Sequence, residues 1–167
     1  LIKRRLVDSQ SVVRQYTELV LANEVKLPGP PNDMKVGFGL DAADGKSVAP
    51  HRRNLPQGEI VGSPIYLPGK FSESLLFDGS NLVTVSDPPQ FVNAFTVSMW
   101  LYPTTEDNAV LFTQAEYEDD VISAGFDIVV SEGAVAIMLA ENADKVRELR
   151  SDHPLKKNQW QHIIVPY

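Results

Sequence analysis

The chain has 167 residues, 22 acidic against 15 basic, a formal net charge of -7 and no cysteine. That length suits one domain with a substantial core plus a short appendage, without covalent crosslinks. The acidic balance argues against duplex nucleic acid as a partner. The missing cysteines exclude thiol catalysis, thiolate metal sites and covalent c-type haem attachment here, and no apolar run reaches the roughly 20 residues that span a bilayer.

From Leu1 to about Val25, Ile2, Leu6, Val13, Tyr16 and Val20 recur at helical spacing, which predicts an amphipathic helix or linker over 1–27. Asp8, Ser9 and Ser11 offer an alternative, capping a shorter helix that begins near Val12. Such a helix either docks on an upstream domain or lies on its own sandwich. The opening Leu1-Ile2-Lys3-Arg4-Arg5 leads into no apolar signal stretch, and a chain starting with Leu is expected to be a piece of a longer polypeptide. Pro28-Gly29-Pro30-Pro31 cannot continue a helix and marks a proline-rich hinge over 28–35.

Beyond the hinge, short runs of Val, Ile, Phe and Leu alternate with Gly, Pro, Asn and Asp clusters. This predicts an all-β domain over 36–167. Strands are expected near Met34–Leu40, Ile60–Val61, Ser74–Phe77, Leu82–Val85, Phe95–Tyr102, Ala109–Ala115, Gly125–Val130, Ala134–Ala140, Lys145–Glu148 and Gln159–Pro166. In the Phe95 strand, Phe95, Val97, Met99 and Leu101 share the core face, and Trp100 falls on the other with a structural role.

Three spaced patterns stand in order: Leu76-Phe77-Asp78-Gly79; Phe95-Thr96-Val97-Ser98 with Trp100 and Pro103; and Trp160-Gln161-His162-Ile163 running to Val165. Together they resemble the laminin G-like or concanavalin A-like lectin domain. The resemblance implies an antiparallel jelly-roll β-sandwich serving as a noncatalytic binding module for a glycan or protein. More narrowly, Gly125-Phe126-Asp127-Ile128, Lys145-Val146-Arg147 and Pro154-Leu155-Lys156 resemble the module set inside large exported bacterial proteins that also carry c-type cytochrome domains. That likeness implies an extracytoplasmic setting and a haem-bearing neighbour, with a structural role in a cytochrome-linked assembly as the alternative function. Family members usually continue with Asp-Gly and further strands after the position of Val165, so the missing strands are expected from the parent polypeptide or a partner chain.

Glu116, Glu118, Asp119 and Asp120 form the densest acidic cluster, read as a loop between strands. Crowded carboxylates repel one another, and a hard cation with oxygen ligands offsets that cost, which makes calcium the candidate metal. In pentraxin-like relatives an Asp-Asn pair in a similar loop binds calcium, and Asp119-Asp120 is the matching pair, with Asp in the second place. The alternative is a solvated acidic loop. A glycoside hydrolase of this fold needs two opposed carboxylates. Glu116, Glu118 and Asp120 would share one side if extended, but the glucanase pattern Glu-x-Asp-x-x-Glu is absent. For sugar binding without catalysis, Asn108, Tyr117 and Asn142 are candidates, expected in loops.

Overall fold

The computed structural model describes residues 31–41, 45–91, 94–105 and 108–167. The helix expected over 1–27 and the first residues of the hinge lie outside the described residues. Regular structure in the described residues is entirely β: β1 (Ser47–Val48), β2 (Gly58–Val61), β3 (Tyr66–Pro68), β4 (Glu73–Leu75), β5 (Leu82–Val85), β6 (Thr96–Leu101), β7 (Ala109–Glu118), β8 (Val121–Ser131), β9 (Ala134–Asn142), β10 (Lys145–Arg150) and β11 (Gln161–Pro166). Every pairing is antiparallel.

The chain forms two compact units. In the first, described over 31–39, 45–63 and 80–88, a three-stranded sheet runs β1-β2-β5. Alternation along β2 puts Gly58 and Ile60 inward and Glu59 and Val61 outward. Ile60 is fully buried opposite Val83, and Val48 of β1 is 1% exposed.

The second unit carries β3, β4 and β6 to β11. Here β7 to β10 form a four-stranded meander in the order β10-β9-β8-β7, β11 pairs with β6 as a two-stranded sheet, and β3 and β4 make a short hairpin. The β8–β9 connection is a two-residue turn at Glu132 (φ 51°) and Gly133 (φ 76°). Positive φ at both central positions matches the twist of the flanking strands. Period-two alternation then aligns Phe126 and Ile128 of β8 with Val135 and Ile137 of β9 in one buried cluster. Val97 of β6 and Ile163 and Val165 of β11 pack against that cluster, so two sheets enclose one core. Burying each such side chain contributes about 1.5–3 kcal/mol. Aromatic rings close one end: Phe126 lies 4.7 Å from Phe95, 5.6 Å from Phe112 and 6.0 Å from Phe91, and Tyr167 lies 5.1 Å from Phe95.

The chain is thus the antiparallel β-sandwich its strand pattern implies, with four local departures, the first being β1 at Ser47–Val48, where no strand is expected from the sequence. No strand forms over Met34–Leu40, where only Phe38 makes an isolated bridge to Pro50 and Leu40 turns the backbone left-handed at φ 54°. Tyr66–Pro68 is a strand the sequence hides, because proline cannot donate to a ladder and reads as a breaker. The acidic cluster read as a loop is instead the hairpin end of β7 and β8, since Glu116 and Glu118 continue β7 as exposed residues.

Candidate functional site

β7 and β8 are joined by a two-residue turn in which Asp119 (φ 48°) and Asp120 (φ 64°) are the central residues. Aspartate tolerates left-handed backbone, which accounts for the pair by turn chemistry. Both side chains are exposed, and among the described residues no group of three or more His, Cys, Asp or Glu side chains is arranged to hold a metal ion. The turn also breaks the alternation that would have carried Glu116, Glu118 and Asp120 along one strand face.

The core takes one face of the meander; register places Thr113 and Ala115 of β7, Gly125, Asp127 and Val129 of β8, Ala136, Met138 and Ala140 of β9, and Glu148 and Arg150 of β10 on the other, where Asp127 and Ala136 are themselves buried. Register places Asp127 between Thr113 and Met138, and Gly125 between Ala115 and Ala140. Alternation along β7 carries Tyr117 onto the same face as Thr113 and Ala115, and the register shift beside it, with Glu116 opposite Ala124 and Tyr117 opposite Ile122, leaves Ser123 as an extra residue on β8. Gly125 lies beside the shift with φ 89°, and a Cβ there would stand 2.1 Å from the carbonyl oxygen of Gln114. Only glycine allows β7 and β8 to approach so closely.

This face brings an aromatic ring over a carboxylate. The Tyr117 hydroxyl donates to Asp127 Oδ2. Asp127 is 4% exposed, the single buried carboxylate among the described residues, and its Oδ1 has no hydrogen-bond partner. Tyr117 remains 51% exposed. Its phenol is raised above the ordinary 10.0, first by the hydrogen bond to Asp127 and then by desolvation, because ionising it would lose the donated bond and set a second negative charge against the carboxylate. Beyond Asp127 the face sinks into a depression of about 310 Å³ lined by Asn108, Val110, Val129, Met138 and Glu148, among others. The ten residues of β7 make the face roughly 30 Å long.

The three expected sugar-binding residues separate. Tyr117 lies within β7 rather than in a loop and is the one aimed at Asp127. Asn108 borders the far end of the depression, where its Oδ1 accepts from the Glu132 amide at 3.2 Å. Asn142 ends β9, and its Oδ1 accepts from the Asp144 amide at 3.1 Å, holding the β9–β10 turn. Asp127 was not among the expected residues, although a carboxylate inside the apolar run Phe126–Val130 was a visible signal.

On the outer face of the two-stranded sheet, Trp100 stacks on His162 with centroids 4.8 Å apart and meets Phe71 edge-on at 5.9 Å. His162 Nε2 and Ser98 Oγ share a hydrogen bond of 2.8 Å, so this histidine is a structural one.

A family model described as the concanavalin A-like lectin/glucanases superfamily, of laminin G type, matches residues 77–167. No curated protein and no solved structure matches the chain. The match spans more than half of the chain and takes in β5 to β11, including the whole candidate face. The chain therefore belongs to the concanavalin A-like lectin/glucanases superfamily.

Proposed function

We propose that the chain is a noncatalytic glycan-binding module that works through the outer face of the four-stranded sheet. The observation that carries this reading is Tyr117 over Asp127: a half-exposed aromatic ring beside a buried carboxylate with an unused acceptor. An acceptor left unsatisfied costs about 1–3 kcal/mol. A small rotation of the phenol uncovers it for a sugar hydroxyl, while the ring stacks on the sugar's C–H face. The depression toward Asn108 holds further residues of the same oligomer. Noncatalytic action fits the carboxylates present: Asp127 Oδ2 is held by Tyr117, Glu148 is paired with Arg150 at 3.0 Å, and Glu116 and Glu118 are exposed on β7. The setting that suits this role is extracytoplasmic, on a parent protein that the module positions. Among the described residues no helix is long and apolar enough to cross a membrane.

A glycan array read with the wild type, Tyr117→Ala and Asp127→Asn tests it. Both variants should lose at least tenfold in affinity for whichever glycan the wild type retains, with no shortened product released. Undiminished binding by both variants would remove the site, and product release abolished by Asp127→Asn would make the protein a hydrolase. Binding should survive chelation; its loss would point to calcium at Asp119 and Asp120.

A second reading concerns the other sheet. No residue of β6 or β11 is buried, and a cavity of about 180 Å³ opens beside Phe95 and Tyr167, lined also by Phe91, Phe126, Leu139 and Arg147. These features suit a sheet that gains strands from elsewhere in the parent polypeptide or from a partner, the structural role in a larger assembly whose co-purification with a haem protein would support it.

A further inference from the structure

The depression beyond Asp127 has a chemistry of its own. Register sets Asp127, Met138 and Glu148 in one row across β8, β9 and β10. Val129 follows Asp127 on the same face of β8, about 7 Å further along, and lies opposite Val110 of β7. Met138, Val129 and Val110 give the depression its apolar lining, and Val110 is 60% exposed. Its polar side chains are Asn108, Ser131 and Glu148. At about 310 Å³ it stands at the small end of ligand sites, with room for a sugar residue and one bulky substituent.

Hydrogen bonds already made decide which polar atoms remain for a ligand. Asn108 Oδ1 accepts from the Glu132 amide at 3.2 Å, which orients the side-chain amide and leaves its Nδ2 as a donor. Glu148 Oε1 accepts from Arg150 Nε at 3.0 Å, which leaves Oε2 as an acceptor. Arg150 also donates to Glu132 at 3.1 Å and to Ser131 Oγ at 3.3 Å, so its charge is committed within the sheet. A carboxylate or sulfate on a sugar would therefore be repelled by Asp127 and Glu148, with Arg150 already engaged. An ammonium would lose water against Val110, Val129 and Met138. What fits is two hydroxyl donors for Asp127 Oδ1 and Glu148 Oε2, and, along β8, a methyl group with a carbonyl beside it.

We infer that the glycan bound on this face is uncharged and carries acetyl groups. The sugar ring lies over Met138 with hydroxyls donating to Asp127 Oδ1 and Glu148 Oε2, the acetyl methyl packs on Val129 and Val110, and its carbonyl accepts from Asn108 Nδ2. The inference rests on the reading of the outer face as a glycan site and goes beyond it by naming the substituent that is recognised. The methyl alone gives roughly 10–200-fold discrimination in an apolar pocket, and a donor left without its acceptor adds to that.

The test is a glycan array followed by titration of the full chain with two matched sets. The first is the linear trimers of N-acetylglucosamine, glucose and glucosamine in the same linkage; the second is an O-acetylated xylan oligomer before and after mild alkali. Glycans retained on the array should carry acetyl groups. An acetyl on nitrogen should make the N-acetylglucosamine trimer bind at least tenfold more tightly than the other two trimers, and an acetyl on oxygen should make alkali cost the xylan oligomer at least tenfold. Asn108→Asp keeps the Oδ1 that accepts from Glu132 and exchanges the donor for an acceptor, so it should reduce either preference to less than about twofold. Equal affinities within both sets, still lowered by Tyr117→Ala, would overturn the acetyl assignment and leave the glycan site standing. Tightest binding of the glucosamine trimer, retention confined to glycans without acetyl groups, or a preference undiminished in Asn108→Asp would overturn it as well. Retention of no glycan at all would instead remove the reading on which it rests.

Discussion

The two sheets that face each other in the sandwich use similar strands to different ends. In the four-stranded sheet Phe126, Ile128, Val135 and Ile137 are at most 8% exposed, while in the two-stranded sheet Val97, Ile163 and Val165, which touch the same core, all remain half-buried. Both sheets alternate apolar and polar residues with period two. Alternation decides which way a side chain points; the number of neighbouring strands decides how much water it loses. The four-stranded sheet therefore buries its share of the core, whereas among the described residues β6 and β11 have no further strand beside them.

Substitutions should sort by this difference. Ile128→Ala, at a fully buried position, should cost about 2–5 kcal/mol in chemical denaturation. Ile163→Ala, which faces the same core from β11 but is only half-buried, should cost less, about 1–2 kcal/mol. Comparable losses at the two would mean that the sheets share the core equally. Gly125→Ala comes next, at about 1–3 kcal/mol, since it demands positive φ of an L-residue and drives a Cβ into the Gln114 carbonyl. A full wild-type midpoint in that variant would show that the bulge is not held by glycine.

A smaller effect is expected at high pH. The Tyr117 phenol is raised in the folded state, so the stability it lends is complete below the ordinary 10.0 and fades as pH climbs through the folded value above it. Tyr117→Phe should remove that alkaline loss and lower the stability at neutral pH by about 1 kcal/mol, because the donor to the buried Asp127 carboxylate goes with the hydroxyl. An alkaline loss that persists in Tyr117→Phe would locate it in another tyrosine or lysine.

Much of the fold was legible because particular residues announced it. Gly133 between two aliphatic runs marked the β8–β9 hairpin, and Phe95 to Leu101 alternated cleanly. The candidate site was legible only in pieces. Tyr117 was recognised as an aromatic suited to a sugar, but its pairing with Asp127 depends on how β7 and β8 align, which no local pattern specifies. The run of acids from Glu116 to Asp120 reads as a loop because charge usually marks solvent, yet exposed strand ends are equally solvated. Asn108 and Asn142 have loop-like composition and serve turns, where asparagine bonds nearby backbone.

Native-state amide exchange of the unliganded chain tests the contrast between the sheets most directly. Amides of Ile128 and Ile137, inside the meander, are expected to exchange only through global unfolding, and those of Thr96, Ser98 and Trp100, which the reciprocal Phe95–Tyr167 bonds and the β6–β11 register turn away from β11, orders of magnitude faster. Protection at Thr96, Ser98 and Trp100 equal to that at Ile128 would contradict an open two-stranded sheet.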